Sequence, residues 1–143
     1  MRLLLDDNLN DEIKEYLLSQ EGIKKIEIKK EDFISEVNIK HNNKISPLII
    51  MKYIDLFQQN KYSTLLEFNK ELDIETKTLK YIVDDICCEY CYKGLVMTLF
   101  ENKFINSVKS NFDFHKSAFD VELIIEYTNY TEEEIKKYIN NNI

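Results

Sequence analysis

The sequence predicts an α+β fold, in which a small N-terminal strand–helix–strand–strand unit is followed by a mainly helical part. Residues 1–60 mix the two-residue period of strands with the 3.6-residue period of helices, and the remainder shows mostly helical spacing. Hydrophobic residues make up 44% and charged residues 31% of the 143 residues, the balance of a globular protein. Two glycines and one proline are too few for a low-complexity linker or a glycine-rich phosphate loop.

The N-terminal unit opens with a predicted short strand at Leu3 to Leu5. A helix follows, with Asn10 as its N-cap and with Asp11 and Glu12 in its first turn, where negative charge suits the helix dipole. Gly22 stands where a left-handed residue is needed after the helix. The predicted apolar face of this helix is Leu9, Ile13, Tyr16 and Leu17.

Two strands and a second helix complete this unit. Ile26 and Ile28 alternate with charged residues, and a second alternating run places Ser35, Val37 and Ile39 on one side. Ser46 and Pro47 then fit an N-cap and a first helical residue. The predicted helix, from Leu48 to about Asn60, is apolar over most of its circumference.

The stretch EGIKKIEIKKEDFISEVNIKHNNKISPLIIMKYI is similar in cadence to heavy-metal-associated domains, which have a ferredoxin-like fold. The resemblance covers roughly residues 1–60. That family binds its metal through two cysteines in the loop after the first strand. Here the loop is Asp6-Asp7-Asn8-Leu9-Asn10 and has no cysteine, so the metal function of the family is not carried over.

The spacing in residues 61–143 predicts helices. Thr64 and Glu67 fit a capping box, and a helix is predicted from Thr76 to about Lys93, where Gly94 stops it. The predicted core face of that helix is Leu79, Ile82, Val83, Ile86 and Tyr90.

A hairpin and two further helices are predicted after Gly94. The β-rich runs 95–100 and 103–108 form the hairpin, and a helix follows around Ser117 to Tyr127. Thr131 and Glu134 fit a second capping box, which begins the last helix.

Residues 46–108 resemble a winged helix-turn-helix. The segment STLLEFNKELDIETKTLKYIVDDI corresponds to its helix pair, and LVMTLFENKFINSV corresponds to its wing. The predicted organisation is therefore a ferredoxin-like unit over 1–60 and a helical, winged-helix-like unit with two C-terminal helices over 61–143. A single compact domain is the alternative.

The winged-helix resemblance implies one candidate function, a DNA-binding transcriptional regulator. The first exposed side chains of a recognition helix contact bases and phosphates. Here these are Thr76, Lys77, Lys80 and Tyr81. The single arginine of the chain, Arg2, lies elsewhere, so bidentate reading of guanine is not expected.

The acidic balance of the chain favours a different function, protein–protein contact. The formal net charge is −7, which suits a basic partner and disfavours a phosphate backbone or an anionic membrane. We expect a non-enzymatic regulator or inhibitor, of the kind found in phages and other mobile elements, that competes for a basic, nucleic-acid-handling surface. The candidate contact residues are Tyr81, Asp84, Asp85, Glu89 and Tyr92. The winged-helix alternative predicts a homodimer, with the terminal helices as the dimer contact.

The sequence predicts no catalytic residues, no cofactor and no metal site. Cys87, Cys88 and Cys91 share a helical face but lack a fourth ligand for structural zinc, so packing is the expected role. His41 and His115 have no nucleophile motif beside them. Three clustered cysteines do not form a disulfide framework, which points to the cytoplasm.

Overall fold

The computed structural model describes residues 1–6, 9–31, 34–57, 63–86, 89–113 and 119–143, with the backbone alone at residues 85, 89 and 119. Within these ranges it has seven strands and four helices. In chain order they are β1 (Arg2–Leu5), α1 (Asp11–Leu18), β2 (Ile23–Glu31), β3 (Ile34–His41), α2 (Pro47–Phe57), β4 (Ser63–Asn69), β5 (Lys77–Ile86), α3 (Glu89–Glu101), β6 (Ile105–Ser110), β7 (Phe119–Tyr127) and α4 (Glu132–Asn141). The chain divides into two compact units, Met1–Leu65 and Leu66–Ile143.

In the N-terminal unit, β3 lies between β2 and β1, and both pairings are antiparallel. Val37 of β3 pairs with Leu3 of β1 and with Ile28 of β2. The helix α1 contacts both β2 and α2. The buried apolar side chains of this unit come from its strands and both its helices: Leu3, Leu5, Ile13, Leu17, Val37, Ile39, Ile50 and Ile54.

Local signals in the sequence place the starts of these helices correctly. The Asn10 side chain accepts a hydrogen bond of 2.8 Å from a backbone N–H in the first turn of α1, which confirms it as the N-cap. Gly22 has the predicted positive φ, +100°, but α1 ends earlier, with Ser19 as its C-cap, so Gly22 begins the turn into β2 and does not end the helix. The helix α2 begins at Pro47, and the Ser46 hydroxyl accepts a backbone hydrogen bond from its first turn.

In the C-terminal unit, the strands lie in the order β4-β6-β7-β5. Val108 of β6 pairs with Phe68 of β4 and with Ile125 of β7, and Ile125 pairs in turn with Leu79 of β5. The helix α3 contacts β5 and β6. The core of this unit includes side chains from its sheet and both its helices: Phe68, Leu79, Val83, Tyr92, Leu95, Val96, Leu99, Val108, Val121, Leu123, Ile125, Ile135 and Ile139.

The two units share one topology. Each contains the sequence strand, helix, strand, strand, helix, first as β1-α1-β2-β3-α2 and then as β5-α3-β6-β7-α4. In each, the third strand lies between the other two. This is the split β-α-β arrangement, in which a strand is inserted between the two that a helix connects.

In the described part of the chain, β2 and β5 each lie at an edge of the sheet of their own unit. β2 pairs with β3, and β5 pairs with β7. The side chains of β2 include four lysines, at positions 24, 25, 29 and 30.

The prediction of a mainly helical, winged-helix-like C-terminal part is wrong. Strands hold 41% and helices 33% of the described residues. Residues 63–86, where the helix pair was expected, form β4, a connection and β5, without a helix. The predicted wing strand at 95–100 lies inside α3, and the helix predicted around 117–127 is the strand β7 from residue 119 onward.

A β-bulge explains why β5 has the spacing of a helix. The register of β5 against β7 shifts between Val83 and Ile86. The bulge keeps both residues on the buried face, so Leu79, Val83 and Ile86 follow one another at intervals of four and three. Ile82, which the helical prediction placed in the core, is 55% exposed.

Candidate functional site

Alternate residues of β5 and β7 lie on the face of the sheet opposite to the buried face. Leu79 and Val83 of β5 are buried together with Val121 and Leu123 of β7. The intervening residues lie on the opposite side, because successive side chains of a strand point to opposite faces. We call this opposite side the outer sheet face, and its residues are Lys80, Ile82 and Asp84 of β5, Lys109 of β6, and Asp120, Glu122, Ile124 and Glu126 of β7.

Three carboxylates lie beside an exposed isoleucine at one end of the outer sheet face. Ile82 pairs directly with Glu122, so their Cβ atoms are expected about 5 Å apart. Asp84 follows Ile82 on the same face of β5, and Asp120 precedes Glu122 on the same face of β7. Asp84 and Asp120 are both exposed. The arrangement presents an apolar side chain with negative charge on one side of it and Lys80 on the other.

The positive charges of the outer sheet face lie toward its other end. Lys80 and Lys109 both pair with Ile124. The Lys80 ammonium lies 3.7 Å from a carboxylate oxygen of Glu122. Among the residues of this face whose side chains are described, four carboxylates accompany two lysines, so their net charge is negative.

The predicted partner contacts do not all lie on one surface. Asp84 belongs to the outer sheet face, whereas the Tyr81 hydroxyl lies on the other side of β5 and donates a 2.6 Å hydrogen bond to the Asn140 side chain of α4. The side chains of Asp85 and Glu89 lie outside the described part of the structure.

The prediction that Tyr92 is a surface contact is wrong. Its side chain is 0% exposed, and its hydroxyl donates a 2.7 Å hydrogen bond to the backbone oxygen of Leu66. Its ring stacks on that of Phe112, with 4.3 Å between centroids. Tyr127 of β7 is buried as well. Both aromatic residues fill the core of the C-terminal unit.

The predicted DNA contacts are divided between two faces of a strand. A helix would present Lys77, Lys80 and Tyr81 together, but strand alternation separates Lys80 from the other two. Lys77 donates a 3.2 Å hydrogen bond to the backbone oxygen of Tyr130. Thr76 precedes the strand in the connection from β4. The structure therefore does not bring these four residues into one surface.

The cysteines and histidines assemble no ligand set among the described residues. Cys87, Cys88 and His115 lie outside the described ranges, and Cys91 is exposed on α3. In the described part of the chain, no group of three histidine, cysteine, aspartate or glutamate residues is placed to hold a metal ion. His41 is buried, and its Nδ1 lies 2.9 Å from the backbone oxygen of Asn42.

Sequence reasoning missed an aromatic surface on the N-terminal unit. Tyr16 of α1 contacts the rings of Tyr53 and Phe57 of α2, with centroid distances of 5.3 and 5.6 Å. A groove of about 250 Å³ lies beside them. The signal that could have found it is the apolar circumference of α2, because a helix in a two-layer unit buries one side only.

Comparison with known proteins identifies no match for this chain. No protein-family model, no curated protein and no solved structure matches the chain. In the described ranges, no helix has the combination of length and apolar character needed to span a membrane.

Proposed function

We propose that this chain is a non-enzymatic binding protein, which acts in the cytoplasm by contact with a basic protein. The observation that carries the proposal is the outer sheet face, where the exposed Ile82 lies among Asp84, Asp120 and Glu122. Carboxylates around an apolar contact attract a basic surface over a distance and then allow burial of the central side chain.

The charge of the whole chain supports this kind of partner. A net charge of −7 favours encounter with a positively charged protein. Basic surfaces are characteristic of proteins that bind nucleic acids. We therefore expect a regulator or inhibitor that occupies such a surface in place of the nucleic acid, as phage and mobile-element proteins of this size can do.

The alternative of a DNA-binding regulator has lost its structural support. It depended on a recognition helix over residues 76–93, and this segment begins as the strand β5. The acidic outer sheet face would also repel a phosphate backbone.

The proposal is tested by charge reversal on the outer sheet face. The double variant Asp84→Lys with Asp120→Lys changes two exposed carboxylates beside Ile82. A matched control is Asp73→Lys with Glu75→Lys, which makes the same change of net charge in the exposed connection before β5.

Partners captured by the unmodified protein from host lysate are identified by mass spectrometry, purified and measured by calorimetry at several salt concentrations. We expect the outer-face variant to weaken binding of a basic partner by about tenfold or more, and the control to have a much smaller effect. The interaction of the unmodified protein should weaken as salt increases. Equal effects of the two variants, or a specific gel shift with DNA that Lys77→Glu and Lys80→Glu abolish, would contradict the proposal.

A further inference from the structure

The solvent side of α2 carries an apolar surface. Ile49, Tyr53, Leu56 and Phe57 occur at i, i+4, i+7 and i+8, which places them on one side of the helix. Leu56 is 64% exposed and Phe57 is 54% exposed. We call these four residues the α2 outer stripe. Aromatic and large aliphatic residues exposed together on one helix side are typical of an interaction surface.

A groove adjoins the α2 outer stripe at the first turn of α1 and the last turn of α2. It has a volume of about 250 Å³ and is lined by Asn10, Glu12, Ile13, Tyr16 and Phe57. Sites for drug-sized ligands are larger, about 300–1,000 Å³. The size of this groove therefore fits one side chain of a partner.

The aromatic rings beside the groove are held in fixed relative positions. The planes of Tyr16 and Tyr53 meet at 84°, and those of Tyr16 and Phe57 meet at 62°. Interaction with the Tyr53 side chain raises the pKa of the Tyr16 phenol above its ordinary value. Tyr16 and Phe57 both line the groove, and the face of an aromatic ring attracts a cation within about 6 Å of its centre.

The charge of the groove also favours a cationic ligand. Of the five described residues that line the groove, Glu12 alone is charged. The N-terminus of a helix attracts anions, but here the Asn10 side chain already caps α1, and Asp11 and Glu12 already supply negative charge in its first turn. A cationic side chain would gain the Glu12 carboxylate and the rings together.

We propose that the groove binds an arginine side chain of a partner protein, presented by an amphipathic segment whose apolar residues cover the α2 outer stripe. Arginine fits because its planar guanidinium stacks on aromatic rings and forms hydrogen bonds with a carboxylate. This site lies in the N-terminal unit and contains no residue of the outer sheet face, so the two proposals stand or fall separately.

The test uses two synthetic amphipathic helical peptides, which carry leucine along one side and either arginine or citrulline beside it. Citrulline keeps the size of arginine and removes its charge. Titration is followed by NMR at the ring protons of Tyr16 and Phe57, with affinities from calorimetry. We expect the arginine peptide to bind about tenfold more tightly than the citrulline peptide.

Three variants locate the interaction. Glu12→Gln should remove most of the preference for arginine, and Phe57→Ala should weaken both peptides. Glu15→Gln is the matched control, since it removes an exposed carboxylate of α1 that does not line the groove. Circular dichroism verifies that each variant is folded. The double variant at Asp84 and Asp120 should bind the arginine peptide as the unmodified protein does.

Three results would overturn the proposal. One is equal affinity for the two peptides, and another is an arginine preference that persists in Glu12→Gln. The third is a dimer in sedimentation that Phe57→Ala dissociates, because the α2 outer stripe would then be covered by a second copy of this chain.

Discussion

Replacement of Tyr92 by phenylalanine tests whether Tyr92 stabilises the core or contacts a partner at the surface. The hydroxyl of Tyr92 donates a 2.7 Å hydrogen bond to the backbone oxygen of Leu66, and the side chain is 0% exposed. Tyr92→Phe keeps the ring against Phe112 and leaves that oxygen without this donor. Loss of a buried partner costs about 1–3 kcal/mol, so the free energy of unfolding should fall by that amount.

Urea unfolding, followed by circular dichroism, measures this loss. With a denaturant slope of about 2 kcal/mol per molar urea, the midpoint should fall by about 0.5–1.5 M. Tyr81→Phe is the matched control, because its hydroxyl donates to an exposed Asn140 side chain and water can replace that partner. We expect the control to change stability by less than about 0.5 kcal/mol. If the two variants were equally stable, or if Tyr92→Phe weakened partner binding without loss of stability, the assignment of Tyr92 to the core would be refuted.

Gly94→Ala should raise the free energy of unfolding by about 0.5–1 kcal/mol, because Gly94 lies inside α3 and a Cβ there meets no atom within 4 Å. Gly22→Ala should lower it, since φ is +100° and the new Cβ would lie 2.8 Å from the Asn42 side-chain oxygen; equal effects would contradict both. Thr64→Val should be neutral or stabilising by up to about 1 kcal/mol in the same assay, because the buried hydroxyl of Thr64 has no hydrogen-bond partner among the described residues, and a clear loss would show that it has one. Burial lowers the pKa of Lys70 below its ordinary 10.5, so an NMR titration of its ammonium should have its midpoint below pH 10.5. The unfolded chain then binds more protons than the folded one between the folded and the unfolded pKa. The free energy of unfolding should therefore rise with pH across that interval in the unmodified protein but not in Lys70→Met.

Capping motifs were predictable where the residues after the cap also fitted a helix. Thr131 and Glu134 form the expected capping box, with both hydrogen bonds at 3.1 Å. Thr64 and Glu67 have the same spacing but lie in β4, where the Glu67 carboxylate accepts a backbone hydrogen bond from Ser110. The difference is the apolar run around Glu67, which suits a buried strand, so a short motif predicts structure only within a compatible pattern.

The sequence predicts a strand where α3 lies and a helix where β7 lies, and these two errors have another cause. The run from Leu95 to Phe100 is rich in strand-forming residues, yet Tyr92, Leu95, Val96 and Leu99 are buried at helical intervals. In β7, four alternate residues, from Val121 to Tyr127, are buried, a strict period of two. Burial in the folded chain decided both elements, because intrinsic propensities differ by less than the energy of burying a side chain.

The candidate sites were only partly predictable for a related reason. Composition alone predicted an acidic surface, and Asp84 belongs to one. The neighbours of Asp84 on that face, Asp120 and Glu122, come from a strand almost forty residues later in the chain, and only the pairing of β5 with β7 brings them together. The groove beside α2 likewise requires the contact between two helices that are separated by β2 and β3.

The edge strands of the described part of the chain, β2 and β5, bear on the solubility of the protein. Unpaired backbone groups along such a strand are a template on which other molecules can add strands, and this growth leads to aggregates and fibrils. Four lysines against two glutamates give β2 a net positive charge, which opposes the approach of a second copy of the same strand. The bulge in β5 interrupts the regular row of backbone groups that fibril growth requires. Neutral residues in place of these lysines would therefore be expected to promote aggregation without a change of fold.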